Sequence, residues 1–86
     1  MKLNLIALKR FADRVIYQPN DGFTNLSYLL GRFSVKNEFL TIEEIEAQLI
    51  TWLDSNCYLG DSWTNHGDWI WHSWKRLRTK LEGMGF

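Results

Sequence analysis

The chain reads Leu40-Thr41-Ile42-Glu43-Glu44-Ile45 just before its middle, and this stretch is the clearest structural signal in the sequence. Thr41 can accept a hydrogen bond from the backbone of Glu44, and the Glu44 carboxylate can accept one from the backbone of Thr41, which together form a capping box. Leu40 and Ile45 are spaced to pack together as a hydrophobic staple. Acidic residues in the first turn also suit the positive end of the helix dipole. The pattern predicts a helix over residues 42–54.

One side of this predicted helix is apolar. At helical spacing its core-facing stripe consists of Ile42, Ile45, Leu49, Trp52 and Leu53. Ile50 falls off that stripe. We therefore expect Ile50 to meet another element of the fold or to form part of a contact surface.

A second strong helix is predicted over residues 68–82, with Asp68 or Asn65 as its N-cap and Gly83 at its end. It carries a narrow apolar stripe that is expected to face the core. The stripe consists of Ile70, Trp74, Leu77 and Leu81.

Aromatic and basic residues border this stripe on both sides. Spacing places Trp71 beside Lys75 and Arg78, and places Trp69 on the other side near Arg76 and Lys80. Tryptophan and arginine are enriched at binding hot spots. Together with Ile50, the predicted partner-binding residues are Trp69, Trp71, Lys75, Arg76, Arg78 and Lys80. The alternative is that the rings cover the core while the cations pair within the fold with Glu43, Glu46 or Asp54.

The first half of the chain contains two weaker helical patterns. Residues 4–17 and 24–33 both carry apolar side chains at helical spacing, although Gly31 weakens the second pattern. The turn-forming residues 18–22 separate them. The sequence thus predicts an all-α fold of about four short helices. The alternative is an α+β fold in which residues 15–18 and 23–28 form an N-terminal β-hairpin packed on two helices.

Length and composition predict one domain over residues 1–86. Small domains bury a modest share of their surface, but 45% hydrophobic residues suffice for a core. The single cysteine, Cys57, excludes an internal disulfide and favours a reducing compartment, so we expect a cytoplasmic protein. The N-terminal residues lack an export-signal pattern, and no apolar run approaches the ~20 residues that a membrane-spanning helix requires.

Charge is segregated along the chain although the total is zero. Residues 1–17 and 69–86 each carry a net charge of +3, and residues 18–68 carry −6. One interpretation is that basic and acidic helices pack side by side and neutralise one another. The other is that one charged face meets a partner of opposite sign.

No pattern in the sequence predicts catalysis or a cofactor. A metal site would have to combine His66, Asp68 and His72 with Cys57 or Asp61, and the six-residue separation of the histidines does not place both on one helical face. The chain lacks a nucleophile elbow and a glycine-rich phosphate loop. We therefore expect a protein that is not an enzyme and that holds no metal or cofactor.

The residues beside the second apolar stripe favour a non-enzymatic protein-binding module. In general character, as a short, tryptophan-rich chain without a catalytic motif, the protein is similar to many small phage or prophage accessory proteins that inhibit or redirect a host protein complex. That similarity concerns character alone and identifies no site. The alternative is a small nucleic-acid-binding regulator, in which the cations neutralise phosphates and a tryptophan stacks on a base.

Overall fold

The computed structural model describes residues 1–18 and 24–86, and helices dominate that part of the chain. The four helices are α1 (Leu5–Val15), α2 (Leu26–Ser34), α3 (Ile42–Asn56) and α4 (Asn65–Gly83). The predicted helical fold is confirmed. Each predicted helix is present, with ends that differ from the predicted ones by at most three residues.

A side-chain N-cap begins every one of these helices. Asn4, Asn25, Thr41 and Thr64 each accept a hydrogen bond from the backbone N–H three residues later. At α3 both bonds of the predicted capping box are present, at 2.9 and 3.1 Å. The backbone hydrogen bond at Thr41 lowers the pKa of the Glu44 carboxyl, because it favours the charged form.

The predicted start of α4 is wrong. Thr64 is the N-cap rather than Asp68 or Asn65, and its hydroxyl oxygen accepts from the backbone N–H of Gly67 at 3.2 Å. Asp68 instead lies in the first turn, where its charge suits the helix dipole. At the other end α4 includes Gly83 and is capped by Met84.

Two short antiparallel strand pairs join the helices. β1 (Leu3–Asn4) pairs with β2 (Phe39–Leu40), which brings the start of α1 next to the start of α3. β3 (Tyr58–Leu59) and β4 (Ser62–Trp63) form a hairpin between α3 and α4. Gly60 in the turn of that hairpin adopts a φ of 72°, a conformation that glycine tolerates best.

The described residues do not form the alternative N-terminal hairpin. Val15 ends α1, and residues 26–28 begin α2, so part of each proposed strand is helical. The proposed turn falls largely in residues 19–23 and lies outside the described residues. On either side of it, the Gln18 amide donates to the Ser27 hydroxyl at 2.6 Å and accepts from the Ser27 backbone at 2.7 Å.

One hydrophobic core receives side chains from all four helices. α1 packs against α2, and both α2 and α3 contact α4. Leu5, Leu29, Ile45, Leu49 and Leu53 are completely buried. No helix within the described ranges is both long and apolar enough to cross a membrane.

Candidate partner-binding surface

The core-facing stripe of α4 divides the rest of that helix into two flanks. Its members are all buried, as predicted: Ile70, Trp74, Leu77 and Leu81. We call the side that carries Trp71, Lys75 and Arg78 the α3-side flank, and the side that carries Trp69, Arg76 and Lys80 the α1-side flank. The two flanks have similar residues but different surroundings.

A charged network ties the α3-side flank to α3. Arg78 Nη1 lies 2.8 Å from Glu46 Oε1, and the indole N–H of Trp74 donates to the same oxygen at 2.8 Å. A weaker contact of 3.6 Å joins Arg78 Nε to Glu82, one turn further along α4. The predicted internal pairing with Glu46 is therefore present, and Arg78 helps to hold the two helices together.

The ionisation of this network follows from its hydrogen bonds. Burial acts to raise the pKa of Glu46, but the hydrogen bonds from Trp74 and Arg78 together outweigh burial and lower that pKa. The same hydrogen bond with Glu46 raises the pKa of Arg78. Both side chains are held in their charged forms.

The aromatic residue of the α3-side flank, Trp71, also makes contacts within the fold. Its ring is partly buried against the core and lies 5.5 Å from the Trp63 ring at a tilt of 57°. Lys75 Nζ stands 5.7 Å from the Trp71 ring centroid, within reach of a cation–π interaction. The Trp63 indole donates in turn to Asp54 at 2.8 Å. These contacts connect α4 to the β3–β4 hairpin and to the end of α3.

The α1-side flank is more open to solvent. Trp69 is 51% exposed, and Arg76 and Lys80 are exposed as well. Arg76 Nη2 donates to the backbone carbonyl of Tyr17 at 3.1 Å, which places the end of α1 beside the middle of α4. The Tyr17 side chain is 76% exposed at that point. Four exposed side chains therefore lie along this edge of the molecule: Trp69, Tyr17, Arg76 and Lys80.

Two further basic residues, on α1, are exposed. Arg14 lies about one turn before Tyr17 and Arg10 about one turn before Arg14, and both are exposed. Within residues 1–18 and 24–86, the salt bridges engage Lys9 and Arg78 but none of these four arginine and lysine residues: Arg10, Arg14, Arg76 and Lys80. The positive charge here is not neutralised by a contact between described residues.

Ile50, the predicted partner-binding residue outside α4, is partly buried. Helical spacing places it between Glu46 and Asp54, one turn to either side. Because both carboxylates accept hydrogen bonds from tryptophans, Ile50 belongs to the region where α3 meets α4 and the β3–β4 hairpin. It is therefore separate from the α1-side flank.

The remaining chemical candidates are placed apart. Cys57 is buried, and burial raises the pKa of its thiol, which disfavours the reactive thiolate. His72 is exposed on α4. In the part of the chain that the structure describes, no three His, Cys, Asp or Glu side chains lie where they could hold a metal ion.

Sequence reasoning did not identify Tyr17, because its role depends on a contact with Arg76 across 59 residues. It also did not identify the hydrogen bond between Trp63 and Asp54, which are nine residues apart in the sequence. Comparison with protein-family models, curated proteins and solved structures finds no match for the chain. The function of this surface is thus inferred from its own residues.

Proposed function

We propose that the protein is a non-enzymatic binding module that acts by occupying a partner protein through the α1-side flank of α4. The observation that carries the proposal is the half-exposed Trp69 beside cations that form no salt bridge with a described residue. Tryptophan and arginine supply much of the binding energy at protein interfaces when a partner covers them. Trp69, Arg76 and Lys80 are the proposed contact residues, with Tyr17 beside them.

The charge of the edge indicates the kind of partner. Arg76 and Lys80 give this flank two positive charges, and α1 carries the exposed Arg10 and Arg14, so an acidic protein surface would be attracted and oriented. The partner would bury the Trp69 ring while its carboxylates approach the cations. Binding of this kind fits an inhibitor or adaptor, as in the phage accessory proteins that the chain is similar to in character. A lone buried thiol fits a reducing compartment such as the cytoplasm.

A matched pair of variants tests the proposal. The test variant combines Trp69→Ala with Lys80→Ala. The control variant combines Tyr58→Ala with Lys75→Ala, which also removes one half-exposed ring and one cation but from the other side of α4. The tagged proteins are used to capture partners from the source cells, and the captured protein is then purified and its Kd measured with each variant.

We expect the test variant to raise the Kd at least about tenfold, because truncation of a hot-spot tryptophan typically removes about 2 kcal/mol or more of binding free energy. The control should retain the affinity of the original protein. Both variants should keep the original circular dichroism spectrum. Equal loss in both variants, or undiminished binding by the test variant, would show that the α1-side flank is not the interface.

A small nucleic-acid-binding regulator is the second candidate, and the four unneutralised cations of α1 and α4 favour it. Glu46 of the acidic helix α3 pairs with Arg78 on the opposite flank of α4. A gel-shift assay with duplex and single-stranded oligonucleotides at 50 and 200 mM salt distinguishes the candidates. Phosphate contacts by four cations predict a loss of affinity by more than a factor of about 30 across that range.

A further inference from the structure

A cleft separates the end of α2 from the outer side of α3, on a part of the molecule distinct from the α1-side flank. It consists of two adjoining shallow chambers of about 420 Å³ each, both open to solvent, which share Phe33 and Gln48 in their walls. The first chamber runs along α3 past Trp52, and the second ends at Arg32 and Lys36.

The floor of the cleft is aromatic. Phe33 and Trp52 are partly buried and pack against the hydrophobic core, so their rings are held in place while one side of each remains accessible. Rings fixed in this way lose little conformational freedom when a ligand covers them. The cleft can thus accept a bulky apolar side chain at low entropic cost.

The charge at one end of the cleft is unusual for this region of the chain. Arg32 and Lys36 are the only basic residues between positions 18 and 68, where eight residues are acidic. Both are exposed and both line the same chamber. Neither forms a salt bridge with any residue in the described ranges, and no Asp or Glu is among the residues that line the two chambers.

We propose that this cleft binds a short extended segment of a partner protein in which bulky apolar side chains are followed by carboxylates. The apolar groups would cover Phe33 and Trp52, and the carboxylates would pair with Arg32 and Lys36. The α3 wall extends from Ala47 to Asn56, a rise of about 14 Å, which matches about four residues of extended chain. Because the cations lie at one end, the cleft does not offer the continuous positive track that a nucleic-acid strand requires.

An NMR titration of the full chain, labelled with ¹⁵N, tests the site. The probe is an acetylated and amidated pentapeptide in which one phenylalanine and one leucine precede three aspartates. We expect shifts in the amide signals of Phe33 and Gln48 and in the indole signal of Trp52. A peptide with lysine in place of aspartate, and one with glycine in place of the apolar residues, should each bind at least about fivefold more weakly.

Two double variants locate the binding. Arg32→Ala with Lys36→Ala should raise the Kd of the pentapeptide about fivefold, because each exposed ion pair contributes a modest amount of binding energy. The control, Arg76→Ala with Lys80→Ala, removes the same charge from the α1-side flank and should leave the peptide-induced shifts of Phe33, Gln48 and Trp52 unchanged. The single variant Trp52→Leu gives an independent check on the apolar contact, provided that its spectrum remains that of the folded protein.

Three results would overturn the proposal. The first is an absence of shifts at millimolar peptide. The second is peptide-induced shifts confined to α4 that the Arg76 and Lys80 variant abolishes, which would leave the α1-side flank as the acidic-partner site. The third is binding of a twelve-residue oligothymidylate in the cleft with the same affinity as the pentapeptide. That result would make nucleic acid, rather than a peptide, the ligand of the cleft. Failure of the cleft leaves the proposed function of α4 untouched, since the two sites have no residue in common.

Discussion

The two flanks of α4 carry similar residues in different surroundings. The α3-side flank has Trp71 and Arg78, and the α1-side flank has Trp69 and Arg76. Arg78 forms an ion pair with Glu46, and Trp71 packs against the core, whereas Trp69 is half exposed and Arg76 donates to a backbone carbonyl. Residue type and spacing are therefore insufficient to assign an interface. The neighbouring helix decides which residues the fold uses.

The charge of the neighbouring helix explains the difference. α3 begins with an acidic turn and presents Glu46 to α4, so a cation on that side gains a partner. On the other side of α4, Arg76 donates to the uncharged backbone carbonyl of Tyr17, which does not neutralise it. Packing of basic against acidic helices thus describes one flank, while the other retains positive charge at the surface.

The largest expected contrast is between two tryptophans of α4. Trp74 is completely buried and donates to Glu46, so Trp74→Ala should lower the free energy of unfolding by about 3–5 kcal/mol. That is a large share of the stability expected for a domain of this size. Trp69→Ala should cost less than about 1 kcal/mol, because its ring is half exposed. Urea denaturation followed by circular dichroism measures both, and similar costs would remove the distinction between core and flank.

A smaller contrast is expected between two glycines of the same helix. A Cβ atom at Gly67 would lie 2.8 Å from the Cys57 Cβ and 3.1 Å from the Trp63 Cβ, which requires α4 and the hairpin to move apart. Gly67→Ala should therefore destabilise the protein by about 1–3 kcal/mol. Gly83 has no atom within 4 Å of its added Cβ, and Gly83→Ala should be neutral or slightly stabilising. A neutral Gly67→Ala in the same denaturation assay would show that this contact is not tight.

The helices were predictable because their signals are local. The capping box at Thr41 and the stripe around Trp74 both depend on residues within a few turns, and both are confirmed. The strands are two residues long and carry no periodic pattern, so no sequence signal separated them from loops. The Glu46–Arg78 pair spans 32 residues. Sequence indicated Glu46 as one of three partners for the cations, but the choice depends on how α3 and α4 pack.

The smallest contrast concerns charge and should depend on pH. Glu46→Gln removes the charge that Arg78 contacts and should lower the free energy of unfolding at pH 7 by about 1 kcal/mol, a modest value because solvent screens a partly exposed pair. The pKa of Glu46 is lowered in the folded protein, so its contribution is present above the unfolded value near 4.5 and is lost as the pH falls through the folded value. The variant and the original protein should therefore converge in stability once the pH lies below the folded value.

Arg76→Ala provides the control from the α1-side flank: its partner is a peptide carbonyl that does not titrate, so its small cost should stay constant over the same range. A cost of Glu46→Gln that persisted throughout an acid titration would mean that hydrogen-bond geometry at Trp74, rather than the charge shared with Arg78, holds α3 against α4.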